Sequence, residues 1–156
     1  MNRLYHAPGW LQKFTLLLPP WGGRLADHLG VWAYRLSGGW VGHWQFGIYV
    51  LLLTTTGRKT GRPRTHSLLY FPDGDNWIVM ASNWGQKPVP AWYYNLQSQP
   101  RARVQVGRRT AQVVAQVADP AERARLWALA LQVWPTYARY QQTAGREVSV
   151  VILRPA

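Results

Sequence analysis

The chain contains no cysteine and few acidic residues. The absence of cysteine among its 156 residues excludes disulfides, thiolate catalysis and cysteine-bound zinc or iron–sulfur clusters. Only six residues are aspartate or glutamate, and most of them fall in turns or at a helix start. A pair of carboxylates for general acid–base catalysis is therefore not expected. The four histidines show no metal-ligand spacing, so no metal site is predicted.

Common catalytic and nucleotide-binding motifs are also absent. The sequence has no G-x-S-x-G elbow, no G-x-x-x-x-G-K-[ST] loop and no G-x-G-x-x-G turn after a strand. This excludes the usual serine hydrolase, P-loop and dinucleotide-binding classes. A chain so poor in reactive side chains is typical of an enzyme in which a bound organic cofactor supplies the chemistry.

Basic and aromatic residues are abundant instead. The chain has 18 lysines and arginines, a formal net charge of +12, 10 tryptophans and 8 tyrosines. Such a balance predicts an acidic partner, which could be a polyanionic small molecule, an anionic membrane surface or nucleic acid. Composition alone does not rank these three partners.

The length predicts a single domain over residues 1–156, with an N-terminal helical segment at 1–45 and a body at 46–156. Apolar residues at helical spacing predict two short amphipathic helices, from Trp10 to Leu18 and from Trp21 to Leu36. These helices would pack on the body or form a peripheral membrane face. Because the start lacks a signal-peptide layout, we expect a cytoplasmic protein, with attachment to the inner face of the cell membrane as the alternative.

From residue 46 onward the pattern is mainly that of strands. The predicted strands are Phe46 to Thr56, Thr65 to Phe71, Trp77 to Ser82, Ala102 to Val106, Thr110 to Val117 and Val148 to Leu153. Helices are predicted from Ala91 to Ser98 and from Asp119 to about Val133. Six strands without βαβ alternation predict a small closed or half-closed antiparallel barrel.

The most informative segment is the turn between the first two of these strands. It reads Gly57-Arg58-Lys59-Thr60-Gly61-Arg62-Pro63-Arg64. Gly57 and Gly61 can adopt positive φ, so backbone N–H groups and cationic side chains can converge on a phosphate or a carboxylate cluster. The sequence therefore predicts an anion-binding turn, with a merely solvated basic hairpin as the alternative.

A second informative segment runs from Ala81 to Leu96, where a strand ends, a loop follows and a helix begins. Backbone N–H groups and the Ser82 hydroxyl can bond the edge of a flat heterocycle there, while Trp92 can form a pocket wall. The helical spacing of Trp92, Tyr93 and Leu96 is equally typical of an ordinary core face.

Together these segments resemble the deazaflavin-dependent nitroreductase family, whose members use reduced coenzyme F420. The resemblance runs from about residue 48 to residue 155. The blocks that carry it are Thr54-Thr55-Thr56-Gly57-Arg58-Lys59-Thr60-Gly61, Arg64, Leu68-Leu69-Tyr70, Ala81-Ser82-Asn83, Pro90-Ala91-Trp92-Tyr93, Asn95-Leu96, Arg123, Leu126-Trp127, Trp134-Pro135, Tyr137 and Tyr140-Gln141. It implies a split β-barrel with flanking helices, of the pyridoxamine-phosphate-oxidase-like or FMN-binding type.

The resemblance also implies roles for individual residues. It assigns the cofactor's phosphate and glutamyl tail to Lys59 and Arg64, with Arg58, Thr60 and Arg62 nearby. It assigns the deazaflavin ring to Ser82, Asn83 and Trp92. The acceptor would lie among Trp92, Trp134, Tyr137 and Tyr140. The catalytic candidates are Tyr137, Tyr140 and Ser82, and Tyr137 is the favoured proton donor.

Several positions depart from the family pattern. Ser67 and Leu69 stand where many relatives carry proline and then tyrosine. Asn83 replaces a frequent lysine, and Trp84-Gly85 replaces a pair of glycines. Trp134 replaces a tyrosine, so a phenol becomes an indole that cannot act as an acid. These changes leave the cofactor contacts intact and alter the acceptor side.

The predicted activity is therefore hydride transfer from reduced F420 to a quinone-like, enone or nitroaromatic acceptor. Two alternatives remain open: an FMN-binding flavoprotein of the same fold, and a basic lipid- or nucleic-acid-binding module. Nucleic acid is not the expected partner, because the basic residues cluster in turns and helices without a recognised nucleic-acid motif. The sequence leaves open both a monomer and a homodimer.

Overall fold

The structure is a computed structural model that describes residues 29–38, 44–45 and 48–156. The predicted helix from Trp10 to Leu18 lies outside the described residues, as does the first part of the helix predicted from Trp21 to Leu36. Residues 29–36 are helical and form α1. The division of the chain into segments 1–45 and 46–156 stays a prediction.

In the part of the chain that the structure describes, seven antiparallel strands make one sheet. They are β1 (Trp44–Gln45), β2 (Ile48–Thr56), β3 (Pro63–Asp73), β4 (Asn76–Met80), β5 (Arg101–Val106), β6 (Arg109–Val117) and β7 (Val150–Pro155). Six of them follow the order β2-β3-β4-β7-β6-β5, and β5 pairs back with β2 to close a barrel. The two-residue β1 pairs with the start of β2. The predicted fold, a split β-barrel with flanking helices, is confirmed.

Within the described ranges, three further α-helices lie outside the barrel: α2 (Ala91–Ser98), α3 (Pro120–Val133) and α4 (Thr136–Ala144). At the start of α3 the Asp119 carboxylate accepts a hydrogen bond of 2.8 Å from the Glu122 N–H. The sequence predicted that this helix ends at about Val133, and it does. It did not predict α4, which begins directly after Pro135 because proline is tolerated at a helix start.

The alternation of buried side chains along β2 divides the core. Leu51 and Leu53 point into the barrel, where they pack with Val79, Val104 and Leu153. The outer face of the sheet is covered by α3 and α4, and the buried residues there include Ile78, Leu126, Ala130, Trp134, Tyr137, Tyr140 and Ile152. Leu52 points outward and is covered by α1. Both faces of these strands are therefore buried, which explains their continuous hydrophobic runs.

Tyr34 anchors α1 to the barrel. The side chain is 1% exposed, and its hydroxyl accepts a hydrogen bond of 2.6 Å from the Gly107 N–H and donates one of 3.2 Å to the Val50 carbonyl. Arg35 adds a hydrogen bond of 3.0 Å to the Thr65 hydroxyl. On the other side of α1 three large apolar side chains are exposed, Leu29, Trp32 and Leu36. No helix in the described ranges is long and apolar enough to cross a membrane.

An unequal strand length creates the opening in the barrel. β3 pairs with β2 from Pro63 to Tyr70, but it pairs with β4 only from Tyr70 to Asp73. After Met80 the chain leaves the sheet for a loop. The edge of β3 along residues 63–69 therefore lies beyond the end of β4. This open edge forms one side of the cavity described below.

Candidate functional site

A cavity of about 390 Å³ lies between the open edge of β3, the loop after β4, the start of α2 and one face of α4. β3 contributes residues 66–69, the loop contributes Ser82, Asn83 and Trp84, and α2 contributes Trp92 and Tyr94. Tyr137 and Tyr140 line it from α4. Arg58 lines the same cavity from the basic turn. The cavity thus joins the two segments that the sequence singled out.

The basic turn, residues 57–64, is closed by short backbone hydrogen bonds. The Gly57 N–H donates to the Arg62 carbonyl at 2.8 Å, and the Gly57 carbonyl accepts from the Gly61 N–H at 2.7 Å. Gly61 has a φ of +65°, as expected. Gly57 is needed for another reason, since an added Cβ would lie 3.0 Å from both the Arg62 carbonyl and the Thr60 hydroxyl. The turn is consequently compact, and its side chains point outward.

Among the residues that the structure describes, no acidic side chain pairs with the cations of this turn. Within the described ranges, ion pairs join acidic residues to arginines elsewhere: Asp73 to Arg125, Glu122 to Arg154 and Glu147 to Arg123. Asp119 caps α3. No described carboxylate lies within ion-pair distance of the turn, and none lines the cavity. The positive charge there remains available for an anionic ligand.

Asn95 connects the basic turn to the cavity wall. This residue of α2 is 5% exposed. Its side-chain oxygen accepts a hydrogen bond of 3.1 Å from the Arg58 N–H, and its amide donates one of 3.0 Å to the Thr55 hydroxyl. The Arg58 guanidinium also lies 4.8 Å from the centre of the Tyr94 ring. α2 therefore contacts the turn through a residue of its buried face and a residue of its exposed face. These contacts fix the position of the turn relative to Trp92, which lies on the same helix.

The loop after β4 contains a left-handed turn. Asn83, Trp84 and Gly85 have φ values of +48°, +57° and +75°. The Asn83 amide donates a hydrogen bond of 2.8 Å to the Pro88 carbonyl. Thr143 of α4 donates one of 2.9 Å to the Gly85 carbonyl. The loop is therefore braced from both sides.

Arg146 supplies a second brace for this loop. Its guanidinium donates hydrogen bonds of 2.9 Å to the Ala81 carbonyl and 3.0 Å to the Lys87 carbonyl. Partial burial lowers the pKa of Arg146 from its ordinary high value. The side chain remains cationic at neutral pH, so both hydrogen bonds are charge-assisted.

Two tyrosines of α4 form the wall opposite α2. The rings of Tyr137 and Tyr140 meet edge to face with centres 6.0 Å apart. Burial raises the pKa of Tyr137, and the neighbouring Tyr140 adds to the effect. Tyr137 therefore keeps its proton across the neutral range and can act as a hydrogen-bond donor.

The structure brings most of the predicted site residues together. Arg58, Ser82, Asn83, Trp92, Tyr137 and Tyr140 all line the cavity. Lys59, Thr60 and Arg64 lie on the basic turn next to Arg58, exposed and outside the lining. Trp134 is elsewhere: it is 2% exposed and packs in the core beneath α3 and α4. Leu126 and Ala130 precede Trp134 at intervals of four residues, and this helical spacing of apolar residues was the sequence signal for a core position.

Sequence reasoning missed several residues of the cavity. His66, Met80, Trp84 and Tyr94 line it, and Asn95 supports it from behind. Tyr94 and Asn95 fall in a segment that the sequence analysis had already singled out. His66 and Met80 offered no signal, because they reach the cavity only through the open edge of β3 and the end of β4.

The chain is similar in sequence to known redox proteins. A family model described as F420H(2)-dependent quinone reductase matches residues 28–155. An F420H(2)-dependent quinone reductase of Mycobacterium tuberculosis is 39% identical over 124 residues, which cover 77% of this chain and 83% of that protein. A protein of Mycobacterium bovis with a corresponding name gives the same figures.

Solved structures agree with these matches. The structure of an F420-H2 dependent reductase superposes with a TM-score of 0.62 at 32% identity, over 67% of this chain and 93% of that one. A second structure, described as a domain-swapped dimer, has a TM-score of 0.63 at 32% identity, over 67% of this chain and 79% of that one.

Gly85 should be far less replaceable than Gly61, although both have positive φ. A Cβ on Gly85 would collide with the Thr143 hydroxyl and lie 3.1 Å from the Tyr140 Cα, whereas a Cβ on Gly61 meets nothing within 4 Å. We expect Gly61→Ala to cost about 1 kcal/mol of unfolding free energy and Gly85→Ala at least about 3 kcal/mol. Urea unfolding measures both. Equal costs would contradict the close packing of the loop on α4.

Proposed function

The chain belongs to the F420H(2)-dependent quinone reductase family, and we propose from this that it transfers a hydride from reduced coenzyme F420 to a quinone-like acceptor. The observation that carries the proposal is a cavity with an unneutralised cationic turn at one end and aromatic walls along the rest. F420 has the matching chemistry, since its flat ring is joined through a phosphodiester to a chain of carboxylates. Enones and nitroaromatics are proposed as further acceptors.

The basic turn is proposed as the site of the phosphate and the glutamyl tail. Arg58 reaches the cavity, and Lys59, Thr60 and Arg64 continue the charged or polar surface along the outside of the turn. Phosphate and carboxylate oxygens accept charge-assisted hydrogen bonds from such side chains. Because Asn95 fixes the Arg58 backbone, the turn needs little rearrangement to bind, which favours affinity.

The ring is proposed to lie between the loop after β4 and α2. Ser82 and Asn83 offer polar groups for the edge of the heterocycle, and Trp92 offers an apolar wall. The hydrogen bonds from Thr143 and Arg146 hold this loop in place before any ligand binds. A ring fixed in this way presents one face to the part of the cavity lined by Tyr137 and Tyr140.

The acceptor is proposed to lie beside Tyr137, Tyr140 and Trp92. When bound, reduced F420 supplies the hydride, and one further proton completes the conversion of a quinone to a hydroquinone. Tyr137 can donate a hydrogen bond to the quinone oxygen that gains charge. Ser82 and Tyr140 remain the secondary candidates. Trp134 packs behind Tyr137 and is proposed to support that wall rather than to touch the acceptor.

Removing cations from the turn should weaken cofactor binding. We expect Lys59→Ala and Arg64→Ala to raise the Kd for F420 by about tenfold to a hundredfold each, since a charge-assisted hydrogen bond contributes about 1.5–3 kcal/mol. Arg139→Ala removes an exposed cation from α4 and should change the Kd less than about twofold. Fluorescence titration measures all three variants.

The same titration with FMN tests the alternative cofactor. We expect F420 to bind and FMN to bind much more weakly. Micromolar FMN binding without F420 binding would assign the cavity to a flavoprotein instead. Unchanged F420 affinity in both turn variants would contradict the proposed role of the turn.

Tyr137→Phe should slow quinone reduction without affecting cofactor binding. Losing one hydrogen bond to a developing oxyanion lowers kcat by roughly ten- to a hundredfold. Because burial raises the pKa of Tyr137, its hydroxyl should stay protonated between about pH 6 and pH 9. Titration of Tyr137 should therefore cause no change in the wild-type rate over this range. Tyr93→Phe, outside this cavity, serves as the control. A normal kcat in Tyr137→Phe would remove the residue from the mechanism.

We also propose that α1 docks the protein on an anionic membrane surface, from which a lipid-soluble quinone could enter. Leu29, Trp32 and Leu36 are 62%, 66% and 80% exposed on the face of α1 that points away from the barrel. Arg35 and the large net positive charge add attraction for anionic lipid headgroups. The cavity is close by, since a Cβ on Gly30 of α1 would lie 3.4 Å from the Ser67 hydroxyl oxygen.

Sedimentation with lipid vesicles tests this docking. The protein should pellet with vesicles rich in phosphatidylglycerol and stay in solution with pure phosphatidylcholine. Replacing Leu29, Trp32 and Leu36 together with serine should abolish pelleting, whereas Val114→Ser, an exposed apolar position on β6, should not. Pelleting that survives the triple replacement would contradict the role of α1.

A further inference from the structure

Trp84 holds a backbone conformation that suits other residues better. Its φ is +57° and its ψ is +28°, within the left-handed helical region. Glycine adopts this region freely and asparagine tolerates it, but a large side chain enters it at a cost. The two neighbours fit the rule, since Asn83 and Gly85 also have positive φ. Trp84 is the exception among the three.

The location of the Trp84 side chain suggests a function that would offset the cost of this conformation. It lines the cavity while remaining 43% exposed, so the indole borders both the cavity and solvent. The surrounding loop is fixed by the hydrogen bonds of Asn83 and Thr143. A strained residue that is held rigidly at a cavity is typical of a functional position.

The position of Trp84 favours contact with the acceptor over contact with the cofactor tail. The turn that carries it packs on α4, where a Cβ on Gly85 would lie 3.0 Å from the Tyr140 ring. The basic turn instead contacts α2 through Tyr94 and Asn95. Trp84 therefore belongs to the aromatic end of the cavity, together with Tyr137 and Tyr140.

We propose that Trp84 is an aromatic binding platform at the cavity mouth, on which the flat ring of a quinone-type acceptor stacks before reduction. This inference rests on the proposed function for the class of acceptor. The indole offers a wide apolar face at little conformational cost, and stacked aromatic rings gain energy beyond burial alone. Acceptors with fused rings should benefit most.

Three substitutions separate the ring from the backbone. Trp84→Gly and Trp84→Ala both remove the indole, but only glycine relieves the left-handed conformation. Trp84→Phe keeps an aromatic face. Menadione, a two-ring quinone, serves as the acceptor. Steady-state kinetics gives its KM, calorimetry gives its Kd with the cofactor-free protein, and fluorescence gives the Kd for F420.

We expect the KM and the Kd for menadione to rise about five- to tenfold in Trp84→Gly and Trp84→Ala, and less than about twofold in Trp84→Phe. The Kd for F420 should change less than about twofold in all three variants. The Tm of Trp84→Gly should exceed that of Trp84→Ala by about 2–4 °C, because the two variants lose the same ring and differ only in the backbone cost.

Unchanged menadione binding in both ring-deleted variants would overturn the proposal. An increase confined to the Kd for F420 would also overturn it, because it would place Trp84 in the cofactor site. A wild-type protein that does not bind menadione would overturn it as well. An equal or lower Tm for Trp84→Gly would refute the strained conformation. If F420 fails to bind while menadione binding still depends on Trp84, the proposed function fails and the platform stands.

Discussion

The arrangement of the site depends on positive charge on the basic turn that no carboxylate of the described residues neutralises. Exposed cations usually gain little from a protein partner, and here the ion pairs of the described residues join Asp73, Glu122 and Glu147 to arginines on α3 and β7, away from the basic turn. The turn is held by Gly57 and by the Asn95 side chain, so its charges lie close together despite their mutual repulsion. An anionic ligand bound at the turn relieves that repulsion. Because the turn adjoins the cavity, the ring of the same ligand can lie in the cavity.

The split in the barrel supplies the space for that ring. Because β4 pairs with only the last residues of β3, the remaining edge of β3 opens on the cavity. α4 closes the opposite side and also braces the loop after β4 through Thr143. The same helix thus supports the loop and presents Tyr137 and Tyr140. The protein contributes geometry, hydrogen bonds and apolar walls, and reactive side chains are few.

The sequence predicted the barrel because its strands and turns are strongly marked locally. It also predicted the basic turn, since glycine spacing and charge are local properties. It could not predict that α4 follows α3 after only two residues, nor that Trp134 packs in the core while Tyr137, three residues later, reaches the cavity. Those outcomes depend on how α4 packs against the sheet. Likewise, the contact of Asn95 with Arg58 spans 37 residues and has no local signal.

The most direct measurement compares F420 with its deazaflavin precursor, which lacks the phosphodiester and the glutamyl chain. If the basic turn supplies most of the binding energy, the full cofactor should bind at least about a hundredfold more tightly at low salt. Raising NaCl from about 50 mM to about 500 mM should weaken F420 binding markedly and leave the precursor nearly unaffected. Equal affinities for the two compounds, or an F420 affinity that is indifferent to salt, would contradict the account.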